Sequence, residues 1–240
     1  MRLLLISNST MPGEPYLDHP KNEIKKFLGV KPVTAIFIPY AAVTFSFDEY
    51  CEKVEERFAE IGHHVVGIHT FENKVKAIHE AEAIVVGGGN TWQLVRLMHD
   101  NNLMDPIREK VFNQTPYIGW SAGANVACPS LKTTNDMPII DPKGFNCIGL
   151  VPFQINPHYL DANPAGHGGE TREQRIEEFL EINQEMCVVG LREGTMLKLE
   201  NQKLNLIGNR SCRIFKKGKT PLELSPGEDF NFLLKCQIEL

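Results

Sequence analysis

Ser121 stands between two glycines in Gly119-Trp120-Ser121-Ala122-Gly123, where a short apolar run, Tyr117 to Trp120, gives way to the small, helix-tolerant residues Ala122 to Cys128. A serine at such a strand-to-helix turn can act as a nucleophile. Its hydroxyl stands at the strand's carboxyl end, and the helix N-terminus lays free N–H groups beneath it. The tight turn requires small neighbours, because a side chain at 119 or 123 would collide with the crossing backbone. The bare pattern G-x-S-x-G also fits an ordinary turn with a capping hydroxyl, so the chemistry depends on partners elsewhere in the chain.

A serine hydroxyl is a weak nucleophile until a base takes its proton, and the base needs a carboxylate to fix its tautomer. Of the eight histidines, His79 and His99 fall in helical patterns, and His63, His64 and His69 flank or end a strand, which are ordinary surface or core settings. His158, in Asn156-Pro157-His158-Tyr159, follows a β-like segment from Gly149 to Ile155. Pro157 bars a helix there and stiffens the loop, so His158 is the expected base. His167, in Gly166-His167-Gly168-Gly169, is its rival. Two carboxylates are candidates for the third member. Asp136 lies in the polar loop Thr133-Thr134-Asn135-Asp136-Met137-Pro138 after the nucleophile helix, and Glu193 follows the strand Cys187 to Leu191. Asp136 could instead be a turn residue bonding its own backbone, and Glu193 a solvated acid paired with a lysine, so the sequence leaves the pair open.

Gly87-Gly88-Gly89-Asn90-Thr91 ends one strand and starts the next helix. Consecutive glycines can gather backbone N–H groups into one concavity that suits a developing oxyanion, although the same stretch would serve as a plain turn capped by Asn90 or Thr91. The pattern is neither G-x-G-x-x-G nor a Walker loop, which argues against a nucleotide. Beside a serine elbow, the N–H groups of Gly88, Gly89 and Ala122 are the expected oxyanion donors. No segment has metal-ligand spacing such as H-E-x-x-H, so neither a metal nor another cofactor is expected.

The elements that must position these groups alternate. Arg2 to Ser7, Val33 to Ile38, His64 to His69, Ala83 to Val86 and Tyr117 to Trp120 read as strands. Asn22 to Leu28, Asp48 to Ile61, Asn73 to Ala81 and Thr91 to His99 read as helices, the second with Cys51, Val54, Phe58 and Ile61 on one face and Gly62 as its stop. Strand-helix alternation predicts an α/β fold, a mainly parallel sheet with helices on both faces, and ligands gather at the carboxyl ends of such strands. Thr171-Arg172-Glu173-Gln174 is a capping box that starts a further helix, with Ile176, Phe179, Leu180 and Ile182 as its core stripe. After about residue 200, Lys203 to Ile207, Cys212 to Phe215 and Phe230 to Leu234 read as short strands, a β-rich extension of one domain spanning residues 1–240.

With 240 residues and a formal net charge of −5, the chain can bury one large core and carries no clustered Lys/Arg footprint for a polyanion, so no nucleic-acid partner is expected. Leu3-Leu4-Leu5-Ile6 is too short for a signal-peptide core and no run approaches a membrane span, which predicts a cytoplasmic protein without a membrane partner. Cys51, Cys128, Cys147, Cys187, Cys212 and Cys236 are scattered without a C-x-x-C pair and are expected as buried free thiols. Oligomeric state is left open.

The blocks LLLISNST, VGGGNTWQL, GWSAGANVACP, TTNDMP, INPHY, HGGETREQRI and GLREG, running in this order from residue 3 to about 194, resemble the alpha-aspartyl dipeptidase (dipeptidase E) family of serine peptidases. The resemblance implies a fold like that of class I glutamine amidotransferases and hydrolysis of Asp-X dipeptides. It implies Ser121 as nucleophile and His158 as base, and offers both Asp136 and Glu193 as the acid. An aspartyl substrate needs a cation for its side chain. Arg172, in the first turn of its helix, suits that role, although it could equally lie on a solvated face. Asn90 is the second candidate substrate contact.

Four other readings compete with this one. An esterase-type α/β-hydrolase places its histidine late in the chain and uses an HGGG oxyanion motif that is missing here. A glutamine amidotransferase would have cysteine at 121 and a glutamate where Leu160 stands. A cyanophycinase-like peptidase, acting on β-aspartyl-arginine bonds, or a non-catalytic binding module on the same fold are the alternatives to an aspartyl dipeptidase.

Overall fold

The computed structural model describes residues 1–163, 165–166 and 168–236. Its first half alternates as the sequence predicts, in the order β1 (Leu3–Ile6), α1 (Lys21–Leu28), β2 (Thr34–Ile38), α2 (Phe47–Ala59), β3 (His64–Gly67), α3 (Lys74–Glu80), β4 (Ala83–Val86), α4 (Thr91–Asp100), α5 (Met104–Phe112), β5 (Tyr117–Trp120) and α6 (Ala122–Asn125). Then follow β6 (Gln154–Tyr159), α7 (Arg172–Ile182), β7 (Cys187–Arg192), β8 (Met196–Glu200), β9 (Lys203–Ile207), β10 (Cys212–Lys216) and β11 (Leu222–Leu224).

Strands β1 to β5 are parallel in the order β3-β2-β4-β5-β1, and β8 and β9 extend the sheet antiparallel on the far side of β1. Successive side chains of a strand face opposite ways, so each strand feeds two cores. Leu4, Ile6, Phe37, Val85 and Trp120 pack with Ile24 and Phe27 of α1 and Val54 and Phe58 of α2. Leu3, Leu5, Ile38, Ile84 and Val86 face the other way, onto Ile78 of α3, Leu94 and Val95 of α4, and Ile107 and Val111 of α5. The sheet thus carries helices on both faces.

A second sheet, in the order β11-β10-β7-β6, pairs β6 and β7 in parallel. Its Ile155, Val189 and Leu191 join the α3–α5 side of the first core, while Tyr159, Val188 and Phe215 pack under Ile176 and Leu180 of α7. Of the C-terminal strands, β9 belongs to the first sheet, and β10 and β11 to the second.

Several expectations need correction. His158 is not in a loop after a strand but inside β6 itself, which begins at Gln154 rather than Gly149. Phe230 to Leu234 is no strand; Asn231–Lys235 is a 3-10 turn whose Leu233 is buried, because one short apolar run serves either element. Ile182 is 85% exposed and drops out of the α7 stripe. Cys187 and Cys236 form a disulfide, leaving Cys51, Cys128, Cys147 and Cys212 as free thiols, with Cys51 only partly buried. Among the described residues no helix is long and apolar enough to cross a membrane.

Candidate active site

The turn after β5 is built as its composition requires. Ser121 holds φ 53° and ψ −112°, a region that L-residues rarely occupy and that costs on the order of 1–3 kcal/mol. Its N–H donates to Ile6 O at 3.0 Å, and its carbonyl accepts from Ala124 and Asn125 N–H. A Cβ on Gly119 would lie 2.3 Å from Gly123 O, and one on Gly123 would lie 2.1 Å from Val86 O, so neither position admits a side chain without moving backbone. Tyr117 Oη, donating to Gly123 O at 2.7 Å, closes the turn from below.

His158 reaches this serine because β6 carries an extra residue. Pro157 pairs with Leu191 and Tyr159 with Arg192, so His158 is left over as a β-bulge with φ 53°. A bulge re-aims its side chain. The imidazole Nε2 lies 2.9 Å from Ser121 Oγ, and Nδ1 lies 2.7 Å from Glu193 Oε1. An ionised carboxylate only accepts, so Nδ1 carries the proton and Nε2 is free to accept from the serine hydroxyl. Glu193, just past the end of β7, therefore holds the imidazole in the tautomer a base requires.

Asp136 is engaged elsewhere. Its Oδ2 accepts from Thr91 N–H at 2.7 Å, Thr91 Oγ1 at 2.6 Å and Thr134 Oγ1 at 3.1 Å, while its backbone carbonyl accepts from Trp92 Nε1. Of the two carboxylates the sequence left open, Glu193 meets the imidazole and Asp136 caps the N-terminus of α4, where a negative charge is favoured. The rival histidine, His167, lies outside the described residues.

The glycine loop lies against the serine. A Cβ on Gly88 would sit 3.0 Å from Ser121 Cβ. Gly89, at φ +133°, leaves no room for one beside Ala41 O. Among the described residues the Gly88 and Gly89 N–H groups donate to no protein acceptor, and Ala122, first in α6, has no intrahelical acceptor for its own. Behind the loop, Tyr50 Oη donates to Gly88 O at 2.9 Å while accepting from Trp120 Nε1 and Tyr16 Oη. Burial pushes the Tyr50 phenol up to about 12, which keeps it a donor at physiological pH.

Asn90 is a helix cap: its Oδ1 accepts from Gln93 N–H, and its Nδ2 donates to Met137 O. Both side-chain groups are thus occupied by scaffold contacts. Arg172 lines a small cavity of about 50 Å³ together with Asn135, Asn156 and Arg175. Burial lowers its pKa and neighbouring Arg175 lowers it further, against the opposing pull of Asp136, and the guanidinium stays cationic. Among the described residues Arg172 has no ion-pair partner. A larger apolar groove of about 680 Å³, beside Met1 at the amino-terminal end of β1, contains none of these groups.

Three site-building residues are absent from the sequence-based candidates: Ser7, Asn8 and Tyr50. Only the polar turn Ser7-Asn8-Ser9-Thr10 at the carboxyl end of β1 carried a signal, since that is the end where sites form. Tyr50 lay unmarked in the apolar face of α2.

A hydroxyl, imidazole and carboxylate joined in sequence, with free N–H groups beside the hydroxyl, is the apparatus of hydrolases that acylate a serine. The chain belongs to peptidase family S51, whose model matches residues 3–207. It is 53% identical to peptidase E of Nostoc sp. over 234 residues, covering 98% of this chain and 97% of that one. It is 46% identical to peptidase E of Salmonella newport over 230 residues, covering 96% and 100%. In structure it is similar to a peptidase from an acI-B1 Actinobacterium, with a TM-score of 0.66 over 95% of this chain and 96% of that one at 17% identity. The fold is of the class I glutamine amidotransferase type.

Proposed function

We propose that this peptidase hydrolyses dipeptides with an N-terminal aspartate, through an acyl-enzyme on Ser121. The observation that carries the reading is the relay Ser121 Oγ, His158 Nε2, His158 Nδ1, Glu193 Oε1, with links of 2.9 Å and 2.7 Å. His158 takes the hydroxyl proton as Oγ attacks the carbonyl carbon of the aspartyl residue, and Glu193 stabilises the imidazolium. N–H groups of Gly88, Gly89 and Ala122 receive the oxyanion. As the C–N bond breaks, Nε2 returns its proton to the leaving amine. Water, deprotonated by the same imidazole, then releases aspartate.

Arg172 is the group we assign to the substrate's side-chain carboxylate. It is cationic, unpaired and half-buried beside the Thr133 to Asp136 loop, and a guanidinium binds a carboxylate in bidentate fashion. Asn90 acts in this reading by holding the glycine loop rather than by touching substrate. The cytoplasm, and the absence of a nucleic-acid or membrane partner, are part of the same proposal and rest on charge and hydropathy alone. In the test, purified protein meets a panel of Asp-X, Glu-X, Asn-X and β-Asp-Arg dipeptides, with Ser121→Ala as control. Turnover of Asp-X is expected, with a loss on the order of 10⁴-fold or more in kcat for the variant. Preference for β-Asp-Arg, or an unaltered rate in Ser121→Ala, would overturn the assignment.

A further inference from the structure

The β-bulge that aims His158 leaves its backbone N–H without a ladder partner, and an L-residue at φ 53° is strained. A buried N–H in that position must find an acceptor or the local geometry relaxes. The acceptor is Ser7 Oγ, at 3.0 Å. The same hydroxyl donates its proton to Leu191 O at 2.7 Å, two residues before Glu193. Ser7 is fully buried, and its own N–H donates to Thr195 O at 3.0 Å, two residues after Glu193. On either side of Ser7, Ile6 O holds the Ser121 N–H at 3.0 Å and Asn8 Oδ1 accepts from Gly194 N–H at 2.8 Å.

From this convergence we infer that Ser7 is a positioning residue for the reaction: its hydroxyl sets the distance between the imidazole of His158 and both its partners. The inference rests on the reading of Ser121, His158 and Glu193 as the working relay. One side-chain oxygen bridges the strand that carries the base and the strand that carries the acid, and its backbone neighbour fixes the nucleophile. All three catalytic groups are referred to a single tripeptide, Ile6-Ser7-Asn8, at the end of β1. Without the hydroxyl the His158 amide has no acceptor, the bulge loses the bond that compensates its strain, and the imidazole is free to retreat into a regular ladder. A hydroxyl is required because the group must accept from one backbone and donate to another at once.

The test compares Ser7→Ala, Ser7→Thr and Ser7→Cys with the unaltered chain. In Ser7→Ala, kcat is expected to fall by roughly 10- to 100-fold with KM within about twofold, since a displacement on the order of 1 Å in a catalytic group costs about that much. Reaction of Ser121 with a fluorophosphonate should slow in parallel, because that reagent also depends on the base and needs no dipeptide binding. Ser7→Thr, which keeps the hydroxyl, should recover most of kcat. Should the alanine chain not fold, Ser7→Cys keeps the volume with a weaker acceptor and should show the same pattern to a lesser degree. Unchanged kcat and labelling rate in a folded Ser7→Ala or Ser7→Cys chain would overturn the inference. An unaltered chain without peptidase activity would instead overturn the reading of the relay.

Discussion

The carboxylate of Asp136 and the backbone N–H of Thr91 are 2.7 Å apart, and this contact decides what Asp136 does. Thr91 opens α4, the helix that follows the glycine loop, so Asp136 ties the loop after the nucleophile helix to the start of its neighbour. Three of the hydrogen bonds at that junction end on one oxygen of Asp136, Oδ2.

Asp136→Asn should therefore act chiefly on stability, lowering it by about 1 kcal/mol, the usual worth of a helix cap. Glu193→Gln should spare stability and lower kcat by on the order of 10²- to 10⁴-fold, because the imidazole loses the partner that fixes its tautomer. Thermal unfolding and steady-state kinetics on both variants distinguish the roles. A larger kcat loss in Asp136→Asn than in Glu193→Gln contradicts the placement of the acid.

Arg172 is expected to act on selectivity. Arg172→Ala should lose Asp-X turnover disproportionately to Asn-X, and Arg172→Lys should recover only part of it, since a point charge cannot replace a planar two-pronged donor. Ratios of kcat/KM on matched dipeptides give the answer. Equal losses on both substrates would remove Arg172 from contact with the aspartyl carboxylate.

Tyr50 supports the oxyanion loop from behind. Across a trans peptide the carbonyl and the following N–H point opposite ways, so the bond from Tyr50 Oη to Gly88 O fixes the direction of the Gly89 N–H. In Tyr50→Phe the loop loses this anchor and the buried Trp120 Nε1 loses its acceptor, a penalty of about 1–3 kcal/mol in stability. Affinity for a boronic acid that mimics the tetrahedral adduct should weaken more than affinity for a product aspartate. Parallel weakening of the two would mean that Tyr50 acts on the fold alone.

Stability in acid should follow Glu223. The Arg192 guanidinium, hydrogen-bonded to it at 2.9 Å, holds its carboxyl down to about 2 from the ordinary 4.5. The unfolded chain then binds the proton first as pH falls, so this contribution is complete above about 4.5 and is lost between there and about 2. Because Glu223 is half-exposed, water screens the pair and less than about 1 kcal/mol is at stake. Glu223→Gln should melt slightly below the unaltered chain at pH 7, and the two curves should meet near pH 2. A gap that persists at pH 2 would assign the effect to packing instead.

Much of this architecture is legible in the sequence, and the pattern of what is not has physical causes. The elbow announces itself because Gly119 and Gly123 answer local steric demands, and α7 because Thr171 and Gln174 bond each other across its first turn, as they do in the structure. Helix α5 escapes notice because Pro106 stands inside it, although a proline in the first turn costs no hydrogen bond. Strand β8 escapes because its pairing depends on β1, nearly two hundred residues earlier. The register of β6 against β7 is likewise set by distant chain, so His158 reads as a loop residue behind Pro157 when it is a bulge within a strand. The choice between Asp136 and Glu193, and the partner of Cys187, are long-range facts to which spacing contributes nothing.

The junction at the end of β1 also makes the site a property of the whole fold. Ser7 meets His158 across 151 residues and Leu191 across 184, so the base and the acid are held by contacts that only the nearly complete chain can make. Competence therefore belongs to the joined pair of sheets, the first holding the elbow and the second the base and the acid.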